Sequence, residues 1–541
     1  MTAEEYPRIW PVRSALAGFA RRRAAVIASY VALTALALFP LVLTRVPPLV
    51  DYPDHLARMW ILLHRDDIQA LATNYVIDWR LLPNLAMDLI VPALAQIMPL
   101  EIAGRVFIAA TMALLMLATA ALHRVFHGRV GWWPLASLLF VYNAVLFWGF
   151  LNYLFSLGVA LLAFSAWVAS ERWPAGRRVA AFAIAGCALF VLHLFAFGVY
   201  GLLVASYETG NRLGFRRWRL ANLAAVAIRL GQFIPVALLW LASLPDRGPS
   251  FTSYGTLLGR LYDILAPATF DTIPTLVDRG ILLLALLFVL YARHTKSLHL
   301  APAARLPLIA GLVAAILMPN WLSGSWGADL RLPVALPFLA ISALRFDRPE
   351  RRAAICFAVA ALALFGLRIW TVSVTWRDMD ERFAEFRDAA RALPDGTRLL
   401  VAQAPMPEAA QAIPNISPML AERQPQQFWH VPELAVIDRS VLVPYFFTGW
   451  TPVQVTARNA DRHQSQSMPV TPGMLAQSVS AGWDPWLAPN NAFGEPPYWL
   501  DWQRKFDYAL VIDFGQPLPP GLTMLQPVAS GSFFHIYRIQ P

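Results

Sequence analysis

Between Arg23 and Arg45 no residue is charged, and uncharged, mostly apolar stretches of this kind recur as far as residue 375. A backbone in hydrocarbon has no water to bond to, so such stretches must close their hydrogen bonds internally, as helices or closed barrels. About 20 residues of helix cross a bilayer. The stretches read as about eleven spans, near 24–45, 101–122, 133–148, 152–170, 178–193, 194–209, 222–244, 279–293, 305–319, 333–346 and 353–375. The chain has 541 residues, of which 57% are hydrophobic and 14% charged. That composition excludes a soluble domain and defines an α-helical polytopic membrane protein. The first apolar run is too long for a signal-peptide core and reads as an uncleaved span.

The formal net charge is +10. Nucleic acid is not the partner this implies, because the basic residues sit in short loops between apolar runs. Arg21-Arg22-Arg23, His123-Arg124, Arg172 with Arg177-Arg178, Arg212 with Arg216, Arg217 and Arg219, Arg293 with Lys296, and Arg345 with Arg348, Arg351 and Arg352 all fall on one side of these spans. By the positive-inside rule that side is cytoplasmic, which puts the N-terminus inside and the C-terminus outside. The assignment requires that 82–98 not cross. Asp88 within it, and Pro83 and Pro92 near its ends, fit a segment that lies along the membrane or re-enters. Cys187 and Cys356 lie in apolar segments and read as buried small hydrophobes rather than a disulfide.

The outer side then carries the long first loop 46–100, a loop 245–278 with Asp263 and Asp271, the short loop 319–331, and a tail, 376–541. The tail is richer in charge and proline. Phe383–Leu393 reads as an amphipathic helix, and Arg398–Ala402, Ser440–Tyr445, Tyr508–Asp513 and Phe533–Ile539 read as strands. The domain division is therefore 1–375, in the membrane, and 376–541, a C-terminal α/β domain. Segment 446–500 reads as a long loop draped over the membrane part.

The first loop holds the densest chemistry: Asp51-Tyr52-Pro53-Asp54-His55-Leu56-Ala57-Arg58-Met59-Trp60. Pro53 suits the first turn of a helix. Leu56, Met59, Trp60 and Leu63 form one stripe, so the helix is expected on the membrane surface, apolar face down. Asp54 and Arg58 are i,i+4 partners on the wet side. Asp51 has no such partner and is the freer carboxylate. The plainer reading is that Asp51 and Asp54 cap the helix, that His55 is a polar-face residue, and that the arginines snorkel.

The layout resembles the GT-C superfamily of membrane glycosyltransferases. The likeness rests on an acidic motif just after the first span, a long first outer loop, many further spans and a soluble domain at the end. The stretch Asp329-Leu330-Arg331-Leu332-Pro333-Val334-Ala335-Leu336-Pro337-Phe338-Leu339-Ala340 is similar to the arginine- and proline-bearing entry to a late span in bacterial members. The resemblance implies transfer of a sugar from a polyprenyl-phosphate donor to a lipid or envelope-glycan acceptor, at the outer face of a bacterial inner membrane with the tail in the periplasm. It puts the catalytic base on Asp51. A carboxylate at a dry interface is suited to that task on physical grounds too. Asp54 joins it as a catalytic candidate, either orienting His55 or holding a divalent cation (magnesium or manganese) with Asp51. Two carboxylates are few ligands for a hard cation, and the Asp-x-x-Asp spacing departs from many members. Arg331, Arg58, Arg80 and Arg105 are candidates for the leaving phosphate, since the guanidinium fork matches phosphate oxygens. Tyr52, His55, Trp326 and Asp329 complete the candidate substrate contacts, with Trp60, Trp79 and Trp321 as further stacking surfaces. Rival readings are a transporter or flippase of lipid-linked sugar, and a non-catalytic envelope assembly protein.

Overall fold

The computed structural model describes all residues except 1–9, 214–218, 244–250, 271–274, 348–349, 406–424, 466–468, 482–496 and 541. Asp271, Arg216, Arg217, Arg348 and part of segment 446–500 therefore lie outside the described residues. In chain order the helices of the first part are α1 Trp10–Val42, α2 Tyr52–His64, α3 Gln69–Asn74, α4 Ala86–Ala95, α5 Leu100–His127, α6 Ala144–Phe147, α7 Leu151–Ala169, α8 Ala175–Leu192, α9 Leu194–Arg212, α10 Leu220–Leu230, α11 Ile234–Ala242, α12 Leu257–Asp263, α13 Leu276–His294, α14 Arg305–Leu317, α15 Ala328–Ala343 and α16 Arg351–Ala390.

Among the described residues, six helical stretches are long and apolar enough to cross a membrane: Arg21–Val42, Leu100–His127, Leu151–Ala169, Ala175–Leu192, Leu220–Ala242 and Arg351–Ala390. Their outward faces carry large exposed apolar side chains, such as Val31, Leu238, Val359 and Trp370. An exposed apolar surface of that extent belongs against lipid, so the chain is membrane-associated.

Of the eleven expected spans, 133–148, 194–209, 279–293, 305–319 and 333–346 are not among these six. Segment 133–148 is not one helix: a 3₁₀ stretch, Trp133–Phe140, is followed by the short α6. Asn143 makes the break, its side chain donating to the Phe140 carbonyl and accepting from Leu146 N–H. Segment 222–244 is interrupted by a 3₁₀ turn at Gly231–Phe233, where Gln232 takes a 2.7 Å hydrogen bond from Tyr200. Segment 82–98 forms only α4, 10 residues, or about 15 Å of helix, too short to cross. Asn152 of α7 pins its start, accepting from Met87 N–H and donating to the Asn84 carbonyl. Cys187 is half-buried, but Cys356 is exposed on α16 rather than buried; both are free thiols.

The bundle has two chemically distinct ends. One gathers basic loop residues with a few acids: Arg129 and Arg345 on Asp347, and Arg178, Arg212 and Arg229 on Glu208. The other end carries loop 46–100, the 319–331 turn and the tail.

The tail is built on a sheet. With β1 Tyr75–Ile77, β2 Leu298–Leu300, β3 Trp321–Leu322, β4 Ser325–Trp326, β5 Leu344–Phe346, β6 Leu399–Gln403, β7 Val453–Val455, β8 Tyr508–Ile512, β9 Leu525–Ser530 and β10 Phe534–Ile539, the order is β6-β8-β10-β9. β6 runs parallel to β8, pairing Leu400 with Ala509, and β10 runs antiparallel to both β8 and β9. β9 was not legible as a strand. Pro527 within it is tolerated because β9 is the sheet's edge. Ser440–Tyr445 is buried but forms no strand. It makes a single bridge, Leu442 to Arg398, because Ser440 turns at positive φ and Pro444 has no N–H to donate.

The tail is not a separate body. α16 runs unbroken through the 375/376 division and includes the start of the expected helix Phe383–Leu393. β7 pairs antiparallel with β1 of the first outer loop. The Tyr75 hydroxyl and the Asn74 amide donate to the carbonyls of Val441 and Ser440, and one continuous apolar core joins bundle and tail.

Candidate functional site

α2 carries the acidic motif, and the tail closes over it. The expected surface helix with a wet side is instead buried all round: Tyr52 through Met59, and Ile61, are shielded. The reason is the tail helix Leu434–Arg439 and the segment around Phe447, which cover the face left polar by the sequence.

Asp51 occupies the N-cap position of α2, but its side chain makes no cap hydrogen bond. The capping explanation therefore does not account for it. Its backbone is fixed. Val50 and Asp51 N–H groups donate to the carbonyls of Phe147 and Trp148 at 3.0 and 3.1 Å. Gly149 follows at φ +83°, and a Cβ there would stand 2.9 Å from Asp51 N. Only glycine meets both demands. The Asp51 carboxylate is 15% exposed and lies 3.9 Å from His430 Nε2. Burial pushes its pKa up to about 7, with His430 pulling the other way.

Asp54 is fully buried. Its Oδ1 accepts the Phe447 N–H at 2.9 Å and its Oδ2 accepts Arg58 Nη1 at 3.4 Å. Burial pushes it up to about 7, against the Arg58 charge. Arg58 also grips Asp88 of α4 through Nε at 2.7 Å and Nη2 at 3.3 Å. Its fork is spent on two carboxylates, so Arg58 braces α2 against α4 and is not a free phosphate ligand. His55 is buried, and burial, then Arg58, hold its pKa well below the usual range; its Nδ1 has no hydrogen-bond partner among the described residues.

The tail adds two residues that the sequence reading had passed over. His430 is 5% exposed, and Glu433 is fully buried. His430 Nδ1 lies 2.9 Å from Glu433 Oε1. The ring packs against Phe447 and Tyr445 at 4.7 and 5.9 Å between centroids. Burial raises the Glu433 carboxyl well above its ordinary range. The only signal was the spacing His430-x-x-Glu433, which sets both on one side of a helical turn.

Arg331 faces Asp51 from the start of α15. It is 7% exposed, donates to the Trp326 carbonyl at 2.6 Å and lies 4.3 Å over the Phe150 ring. Its Nε has no partner among the described residues, and Tyr153 holds its carbonyl at 2.6 Å. Trp326 meets Trp148 at 4.6 Å, and Trp148 meets Trp429 of the tail at 6.1 Å. Bundle and tail thus frame Asp51 with aromatic faces and one arginine. Asp329 is buried in the first turn of α15 and accepts from Asn320 at 3.1 Å; it shares a hydrogen bond with Asp263, which burial and Asp329 push up to about 7.

The other expected contacts lie elsewhere. Tyr52 is core: a Cβ on Gly104 would come within 2.1 Å of its hydroxyl. Arg80 is exposed and pairs with Asp78. Arg105 donates to the Leu41 and Thr44 carbonyls, capping the end of α1. Trp60 packs at a tilt against His64, Trp321 at a tilt against Phe251, and Trp79 is exposed. Of the metal candidates, Asp54 converges in a group of three with His430 and Glu433, while Asp51 stands beside His430.

No protein-family model, no curated protein and no solved structure matches the chain. The site geometry and the sequence are what bear on function.

Proposed function

We propose that the protein is an integral-membrane glycosyltransferase of GT-C type, moving a sugar from a polyprenyl-phosphate donor to a lipid or envelope-glycan acceptor at the outer face of a bacterial inner membrane. The observation that carries the reading is the Asp51 carboxylate. It is held in place by its backbone, makes no helix-cap hydrogen bond, and is set opposite Arg331 among Trp148, Trp326 and Trp429. Asp51 takes the proton of the acceptor hydroxyl. The acceptor oxygen attacks the anomeric carbon, the carbon–oxygen bond to phosphate breaks, and Arg331 stabilises the polyprenyl phosphate that leaves. The flat tryptophan faces suit a sugar ring. The basic end of the bundle supports a cytoplasmic N-terminus, with the tail in the periplasm.

The test is turnover of a panel of radiolabelled polyprenyl-phosphate sugars in membranes holding matched amounts of wild type and Asp51→Asn. Transfer by the wild type, abolished in the variant, is expected. Transfer that survives the substitution removes Asp51 from the mechanism, and no transfer with any donor refutes the class.

A further inference from the structure

We infer that Asp54, His430 and Glu433 form a binding site for one divalent transition-type cation, of the zinc or manganese class, shared between the first outer loop and the tail. The inference does not rest on the transferase reading.

Geometry is the first support. One ligand atom from each residue lies within 4.8 Å of the other two, close enough for small side-chain shifts to bring all three onto one ion at about 2.0–2.2 Å. All three side chains are at least nine-tenths buried, so this is not an exposed acidic cluster. Independently, Glu433 Oε2 is buried without a hydrogen-bond partner among the described residues. An orphaned buried carboxylate oxygen is costly, and it lies on a group whose other oxygen already faces His430.

Charge is the second support. Among the described residues, the buried cluster sets Asp54, Asp88 and Glu433 against Arg58. Three carboxylates and one guanidinium leave an excess of two negative charges when all are ionised. Burying uncompensated charge is expensive, and a divalent cation closes the count.

The donor set decides which cation. An imidazole nitrogen with two carboxylate oxygens suits zinc, manganese or cobalt, whereas magnesium and calcium want oxygen ligands throughout. Three protein ligands leave a coordination position open. The surroundings have the form of a supporting shell. Phe447 N–H and Arg58 orient Asp54, while His430 turns its other ring nitrogen toward Asp51.

The rival is a proton shared between His430 and Glu433. The experiment uses the full chain, purified in detergent, stripped with chelator and dialysed. It is then titrated with Zn²⁺, Mn²⁺ or Mg²⁺, with bound metal measured by mass spectrometry and the thermal midpoint by tryptophan fluorescence. Wild type is expected to take up about one Zn²⁺ or Mn²⁺ per chain with a rise in midpoint, and Mg²⁺ at the same concentration to do neither. Glu433→Gln and His430→Gln are expected to lose uptake and the rise while eluting as the wild type does on size exclusion. A shared proton gives no uptake in any protein and leaves Glu433→Gln as stable as wild type or more so; that outcome, or equal uptake by the variants, overturns the site.

Discussion

The Arg58 brace gives the sharpest prediction. Arg58 is 1% exposed and bonds Asp88 at 2.7 and 3.3 Å and Asp54 at 3.4 Å. Removing one partner of a buried pair leaves an uncompensated charge and costs about 3–5 kcal/mol, while replacing both with apolar residues of similar size is often neutral or stabilising. Asp88→Leu and Arg58→Met should each destabilise by about 3–5 kcal/mol. The double variant still leaves Asp54 without its guanidinium, but it should cost less than the sum of the two single changes, a coupling of several kcal/mol that only neighbours show. For a chain of 541 residues, at roughly 2.1 cal/mol/K of unfolding entropy per residue, 4 kcal/mol lowers the thermal midpoint by about 3–4 °C. If the unit carrying α2 opens before the rest, the shift is larger. The assay is a melt of detergent-purified protein followed by its 20 tryptophans. Single effects that simply add, or an Asp88→Leu variant within about 0.5 kcal/mol of wild type, would refute the brace. They would return Arg58 to the pool of phosphate ligands.

Other perturbations separate other parts. Gly149→Ala forces φ +83° on a residue with a Cβ beside Asp51 N, and should cost about 1–3 kcal/mol in the same melt; an unchanged midpoint would sink the close-approach argument. Arg331→Lys keeps the charge but loses the planar stack on Phe150, and kcat/KM for the lipid-phosphate donor should fall about tenfold or more; an unaltered kcat/KM would remove Arg331 from the phosphate. His463 is half-buried and bonds the Phe446 carbonyl at 2.8 Å, and burial lowers its pKa from 6.5 to about 4. Above 6.5 both states are neutral. As pH falls toward 4 the unfolded chain takes up a proton that the folded one refuses, so stability drops by up to about 3 kcal/mol. His463→Gln should remove that part of the acid sensitivity, and melts from pH 7 to 4 that superimpose for the two proteins would contradict it.

What was legible depended on how far the deciding interaction reached along the chain. The six apolar helices show themselves because each closes its own backbone bonds. Asp51 stood out because nothing near it in sequence used its carboxylate, and nothing in the fold caps with it either. Asp54 and Arg58 misled for the same local reason: an i,i+4 ion pair resembles a solvated face, and the residues that bury it, Phe447 and the 434–439 helix, lie far along the chain. Asp88 was noticed only as a charge unwelcome in a span, not as the partner of Arg58. His430 and Glu433 gave a three-residue spacing and nothing more, since their meaning depends on docking against α2. Segment 133–148 carried its own warning in Asn143, whose amide competes with the helical backbone.

α16 has a mechanical consequence. Forty residues at 1.5 Å each make a rod of about 60 Å, twice the thickness of a bilayer's hydrocarbon core. The rod acts as a ruler and as a spindle: it sets the height at which His430 and Glu433 meet α2, and their azimuth about its axis. One residue inserted near Arg377 would turn everything beyond it by about 100° and lift it by about 1.5 Å, swinging the tail's half of the site away with every side chain still present. Seven inserted residues nearly restore the bearing but leave the tail about 10 Å too high. Length in this segment is therefore held by the site as firmly as any residue in it.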